Sequence, residues 1–343
     1  MTRIKAKSID AKAADTLVTH LQRYFVKALD QLSSEIGEGK NFEEVEWFRQ
    51  LGEFGGGVRY VSTDNTLFNR ASVNVSQVQY DSDQTKTLAS ATALSTIIHP
   101  RNPYAPSIHM HVSWTQMKDG QGYWRMMADL NPSIYNEKDK KTFDTVLNES
   151  AGEFYEEASA QGDKYFNIPA LGRHRGVSHF YLENFKTDNK ENDINMAKGL
   201  IENVVDAYIS IIKNQISSHP EISAEDKKEQ LAYHTLYLFQ VLTLDRGTTS
   251  GLLVHNENDV GILGSIPSHV NKELLLSWKD KMPKGQEELI EVIAACLDDS
   301  GSVEDSQKAA LAQAVREFYQ KNPEALKMQA SGNVSVPTVQ NHK

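Results

Sequence analysis

The sequence has one cysteine, Cys296, in 343 residues. That count excludes an internal disulfide framework and fits a reducing compartment such as the cytoplasm. Lying within the apolar run "LIEVIAACLDDS", Cys296 reads as a small core residue rather than a nucleophile. No run of about 18 apolar residues occurs, so no membrane-spanning helix is expected. The N-terminal "MTRIKAKSIDAKAADTLVTHLQRYF" lacks an apolar segment followed by a small-residue cleavage site, so a secretory signal is not expected either. Positive charge is in deficit: 36 Lys and Arg against 46 Asp and Glu give a net charge of −10. Such a balance argues against nucleic-acid binding, which needs a basic face to neutralise phosphates. An anionic ligand would have to be held by a local group of arginines against the overall field. Dinucleotide-binding, P-loop, nucleophile-elbow and zinc-finger patterns are all missing.

What is present is a change of period along one chain. Residues 9–37 carry Leu17, Leu21, Phe25, Leu29 and Leu32 at helical spacing. From about 45 to 130 the runs become short, β-branched and aromatic: "GGGVRYVS", "ASVNVSQVQY", "LSTIIHP", "SIHMHVSW" and "GYWRMMADL". Val73, Val75 and Val78 nearly alternate with polar residues, as in a half-buried antiparallel strand. Helices are expected at 136–161, 190–217 and 222–234. A further strand pair is expected in "TLYLFQVLTLDRG" and "TSGLLVHNENDVGILGSIP", with helices again from 269 and a disordered tail at 331–343. Strands grouped between helices predict an α+β fold, one antiparallel sheet covered by helices, as a single domain over 1–330.

Three segments carry chemistry. "STIIHPRNPYAPSIHMHVSW" holds His99, His109 and His111. The last two, spaced i, i+2, share a strand face, so the trio can be read as a metal site, a catalytic site or ordinary strand histidines. "RHRGVSHFYLENF" sets Arg173 and Arg175 around His174, and paired guanidinium donors suit a carboxylated ligand. "FGGGVRYVS" places three glycines before Arg59, where backbone approaches a ligand or another strand.

Taken together, these segments resemble the oxygen-dependent coproporphyrinogen III oxidase family. "WFRQLGEFGGGVRYV" is similar to its W-x-R…GGGG-x-R stretch, "FNRASVNVSQV" to F-E-x-A-G-V-N-x-S, and "STIIHPRNPYAPSIHMHV" to S-x-V-I-H-P-x-N-P-x-x-P-T-x-H-x-N-V-R. "ADLNP", "HRGVSHFYLENF" and "LDRGTTSGL…ILGSIP" follow in the family's order. The resemblance implies a large flat antiparallel sheet sandwiched between helices and a homodimer. It also implies oxidative decarboxylation of two propionates of a porphyrinogen to vinyl groups in haem biosynthesis, with molecular oxygen as co-substrate and no organic cofactor. By the same resemblance His109 is the proton donor, working with Asp129 and Asp245. Ser95, His99 and Arg246 contact the substrate, joined in our reading by His111, Arg59 and Arg175. A divalent metal on His99, His109 and His111 is the alternative for that trio.

The sequence also departs from the family. N-V-R becomes His111-Val112-Ser113, R-G-I-G-G becomes Arg175-Gly176-Val177-Ser178-His179, Asp144 stands where a helix carries histidine, and "VHNENDVG" replaces T-G-G-R-x-E-S. Each lost charge-assisted carboxylate contact is worth roughly 1.5–3 kcal/mol unless replaced. Arg70, Arg125, Arg173 and Arg175 are the candidates for replacing them, and a different carboxylated, electron-rich ligand, turned over or only bound, is the alternative reading.

Overall fold

The computed structural model describes residues 1–333. The first helix, α1 (Ile9–Ile36), starts where Ser8 accepts a hydrogen bond from the Ala11 backbone N–H and stops at Gly37. It leads into β1 (Glu43–Phe48), β2 (Gly55–Val61), β3 (Phe68–Gln79), β4 (Leu88–Pro100), β5 (Ser107–Met117) and β6 (Gly122–Asn131). These form consecutive antiparallel pairs. Helices α2 (Glu137–Ala151) and α3 (Tyr155–Phe166) replace the single helix expected over 136–161. The break is at Gly152, whose φ of 53° is the left-handed region that glycine enters cheaply. Two short strands, β7 (Asn167–Ile168) and β8 (Arg173–His174), pair with each other, and β9 (Ser178–Phe185) joins the main sheet beside β6. The sheet has seven strands in the order β1-β2-β3-β4-β5-β6-β9.

The rest is helical: α4 (Lys190–Ser218), α5 (Ala224–Thr243), α6 (Arg246–Val254), α7 (Asp259–Ile262), α8 (Lys272–Leu276), α9 (Glu287–Ala295) and α10 (Asp305–Lys321). The strand pair expected around 235–266 is therefore absent, and the segment is helix α5 running on to α6. The reason lies in burial. Tyr233 through Thr243 are all buried, so this part of α5 has no polar stripe to reveal a 3.6-residue period. A Ser223–Asp226 capping box starts the helix, and the Asp245 side chain accepts from the Thr248 N–H to start α6. The "DRGTT" segment is thus a helix start, not a strand end.

Side-chain alternation splits the sheet into two faces. Ile108, Met110, Val112 and Trp114 of β5 point to one side and join a continuous apolar core with Leu17, Leu21 and Phe25 of α1 and Leu200, Ile201 and Val204 of α4. A second apolar core is built from α5, α6, α9 and α10, with Ile97 of β4 packed against it. The two helical layers sandwich the sheet, as expected, and the second leaves a cavity. The glycine run behaves as its sequence implied. A Cβ on Gly57 would lie 2.6 Å from the Trp47 indole nitrogen and 2.2 Å from the Val75 carbonyl oxygen, so β1 and β3 close in on bare backbone. Residues 331–333 are packed rather than frayed: the Gly332 N–H donates to Glu183 and the Asn333 N–H to Gln161. The remainder of the expected tail, 334–343, lies outside the described residues.

Candidate active site

The cavity, about 310 Å³, lies between the sheet and helices α5–α7. Its floor is made of small side chains: Ser72, Asn74 and Ser76 on β3, Ala91, Ala93 and Ser95 on β4, and Ser113 on β5. Tyr237, Asp245, Thr248 and Ser250 come from the helices above, and Tyr165 and Tyr181 close one end.

His109 lines this cavity and stands directly opposite Asp129 in the β5–β6 register. Its Nδ1 is 3.2 Å from Asp129 Oδ1. Arg175, 1% exposed, sends Nη2 to within 3.1 Å of the same Nδ1 and donates to Asp129 Oδ2 at 2.7 Å. A guanidinium only donates and a carboxylate only accepts, so Nδ1 stands between a donor, Arg175, and an acceptor, Asp129. When the ring takes a second proton, the Asp129 carboxylate is already in place as counter-ion. Burial alone would push the Asp129 carboxyl up, but Arg175 and His109 beside it, with a hydrogen bond from Asn131, hold it below the usual carboxylate range. Arg175 lies over the Phe166 ring, 4.8 Å from its centroid, which fixes the guanidinium plane.

Asp245 occupies the opposite wall. Its Oδ1 accepts from the Thr248 N–H at 2.6 Å and its Oδ2 from the Tyr165 hydroxyl at 2.9 Å. Burial opposes its charge, yet His109, the Thr248 N–H and the Tyr165 hydroxyl hold the carboxyl below its ordinary range, so it is ionised near neutral pH. Tyr181, stacked on Tyr165 with centroids 4.3 Å apart, is pushed up to about 12, chiefly by burial.

The histidine trio does not assemble. His111 lines the cavity, and burial, with Arg125 and His109 nearby, holds it down to about 3, so it is neutral. His99 is fully buried beyond the cavity wall, its Nδ1 2.8 Å from Ser107 Oγ and its ring 4.6 Å from that of Tyr237. Among the described residues no group of three or more His, Cys, Asp or Glu is placed to hold a metal ion, so the metal alternative for His99, His109 and His111 finds no geometric footing. Ser95 lies on the cavity floor as expected. Arg59 does not line this cavity; it lines a neighbouring one with Arg70 and Lys308. Arg246 is one layer back, donating to the Tyr181 hydroxyl at 3.3 Å and to Glu183 Oε1.

The sequence reading missed Tyr165, Tyr181 and Glu183, and named Arg125 only as one of four compensating arginines. Glu183 is buried, and its Oε1 accepts from both Arg125, at 3.0 Å, and Arg246. Alternation along β6 and β9 is the signal that marks Arg125 and Glu183 as exceptions, being charged groups in largely buried strands. The departures from the family also come in matched sets. Ser178 donates to Asp144, His179 sits 2.7 Å from Asp163 against the bare Gly162, and Ser113 faces Arg125 across the β5–β6 pair.

The family model described as coproporphyrinogen III oxidase matches residues 13–296. The chain belongs to that family. Similar proteins include the fly (Drosophila melanogaster) oxygen-dependent coproporphyrinogen-III oxidase, 26% identical over 79% of this chain and 74% of its own length. The human mitochondrial enzyme of the same name is 26% identical over 81% of this chain and 65% of its length. The soybean (Glycine max) chloroplastic form is 25% identical over 84% and 80%. All three are named as oxygen-dependent oxidases, that is, oxidoreductases by class. Among the described residues no helix is long and apolar enough to cross a membrane.

Proposed function

We propose that this protein catalyses the oxygen-dependent oxidative decarboxylation of coproporphyrinogen III to protoporphyrinogen IX in haem biosynthesis. The observation that carries the reading is a cavity lined by both His109, backed by the Asp129–Arg175 pair, and ionised Asp245. In each of two cycles a propionate, –CH2–CH2–COO⁻, plus O2 and one proton gives –CH=CH2, CO2 and H2O2. Two electrons pass from the electron-rich tetrapyrrole to oxygen, so no organic cofactor is required. In this reading ionised Asp245 accepts a pyrrole N–H hydrogen bond and draws off that proton as the ring becomes reactive. His109 supplies a proton from Nε2 to the reduced oxygen and is recharged against Asp129. His109 and Asp245 are themselves buried, so their charges act in surroundings of lower dielectric than bulk water.

The reading includes the homodimer and the cytoplasmic location implied above; sedimentation of the purified chain tests the first. Activity is tested by mixing anaerobically prepared coproporphyrinogen III with the protein and admitting air. Formation of protoporphyrin after oxidation, above the protein-free blank, is expected, and none above the blank sinks the reading. The second reading, a related carboxylated tetrapyrrole as substrate, is favoured by the sparse positive charge at the cavity.

A further inference from the structure

Among the described residues that line the cavity, Arg125 is the only arginine or lysine. His111, the cationic candidate on the same wall, is kept neutral by its burial. Arg175 is spent on Asp129, and Arg246 lies behind the lining on Tyr181 and Glu183. Any carboxylate entering this space therefore meets one guanidinium, beside the imidazoles of His109 and His255.

The fold presents that side chain deliberately. Arg125 on β6 is the direct cross-strand partner of Ser113 on β5, and both line the cavity. Residues directly opposite on one face lie about 4.5–5.5 Å apart at Cβ. The small Ser113 side chain leaves the space over β5 to the guanidinium. Glu183 sets its orientation from behind: Oε1 accepts from both Arg125 and Arg246, and Oε2 accepts from the Gly332 backbone N–H at 3.4 Å. One carboxylate between two guanidiniums leaves an excess positive charge. The buried Nε of Arg125 has no hydrogen-bond partner among the described residues. A buried donor of that kind carries a desolvation cost that an incoming anion relieves.

We propose that Arg125 is the carboxylate anchor of this cavity, gripping a single propionate of the tetrapyrrole, with Glu183 as its positioning residue. This rests on the tetrapyrrole reading of the site. A volume near 310 Å³ is at the small end of ligand sites, enough for one edge of a macrocycle and one acid side chain. The remaining carboxylates then face outward to solvent. The substrate class that follows is a porphyrinogen selected by one propionate at its reacting edge, not by the whole set of carboxylates.

The test is a fluorescence titration of the full chain with coproporphyrin III and, in the same detergent, its tetramethyl ester. The variants are Arg125→Ser, Ser113→Arg and the double variant that exchanges the two. Arg125→Ser is expected to weaken binding of the free acid about 10–100-fold and to leave the ester unchanged. The exchange S113R/R125S, which returns a guanidinium to the same face from the opposite strand, is expected to recover most of that loss. Equal weakening of acid and ester, with no recovery on exchange, marks Arg125 as merely structural and overturns the inference. Unchanged binding of the acid by R125S overturns it too, while leaving the tetrapyrrole reading intact. If the unmodified chain binds neither porphyrin, the tetrapyrrole reading itself falls, and the anchor with it.

Discussion

The two faces of one strand behave as two different proteins. On β5, Ile108, Met110, Val112 and Trp114 join a dry core with α1 and α4, whereas His109, His111, Ser113 and Thr115 line the cavity beneath α5–α7. The first face is large, apolar and complementary in shape. The second is built of small and polar groups, with its charge confined to a few paired sites. Stability therefore resides mainly on one side of the sheet and selectivity on the other, although both are encoded in the same eleven residues.

The sharpest way to break that division is to strike the one ion pair that serves both. Arg175→Met leaves Asp129 buried without its partner and is expected to cost about 3–5 kcal/mol in urea unfolding. Adding Asp129→Asn is expected to recover a large part of that stability and none of the activity. Met110→Ala, on the dry face, is expected to cost about 2–5 kcal/mol in the same measurement while leaving porphyrin affinity of the folded protein unchanged. Its neighbour on the wet face, His109→Asn, is expected to show the reverse. Turnover should fall about 10²–10⁴-fold, with thermal unfolding shifted by no more than a few degrees. A loss of stability in His109→Asn as large as that in Met110→Ala would dissolve the comparison.

The last comparison is on pH. His111, held down to about 3 in the folded chain against 6.5 when unfolded, binds its proton more readily in the unfolded state. Its contribution is thus lost as pH falls from 6.5 toward 3. Asp129 and Asp245, lowered from the ordinary carboxylate value, add stability that is present above that value and lost below it. Chemical denaturation between pH 7 and 4 should show a slope that His111→Asn makes shallower, and no change of slope in that variant removes His111 from the account.

What could be read from the sequence follows the same division. The helix at 9–37, the five strand segments of the middle region and the helix at 190–217 were all legible, because each has one apolar side and one different side. The first half of helix α5, expected at 222–234, was legible as well; its second half was not, since burial of Tyr233–Thr243 on every side erased the period, and with it went the true setting of Asp245 as a helix cap. Site residues close in sequence to a recognisable segment, such as His109 and Asp129, were visible by resemblance. Arg125 and Glu183 depend on a cross-strand register and on contacts of β9 with β6 and with α6, information that no single segment contains. His99 and Arg59 were drawn toward the site by their segments, but the sheet carries the first past the cavity wall and the second into a neighbouring hollow.

The small polar floor of the cavity has a consequence for how the chain is made. The sheet is complete once Phe185 has been synthesised, whereas the helices that roof the cavity begin at Ala224 and the contact that steadies Glu183 comes from Gly332. At a synthesis rate of about 5–20 residues per second, the roof follows the sheet by on the order of 10–30 s. Through that interval one face of the nascent sheet is unroofed. Serine, alanine, threonine and asparagine interrupt Val78, Ile97 and Met127 on that face, which breaks up the apolar surface a neighbouring chain could seize during translation.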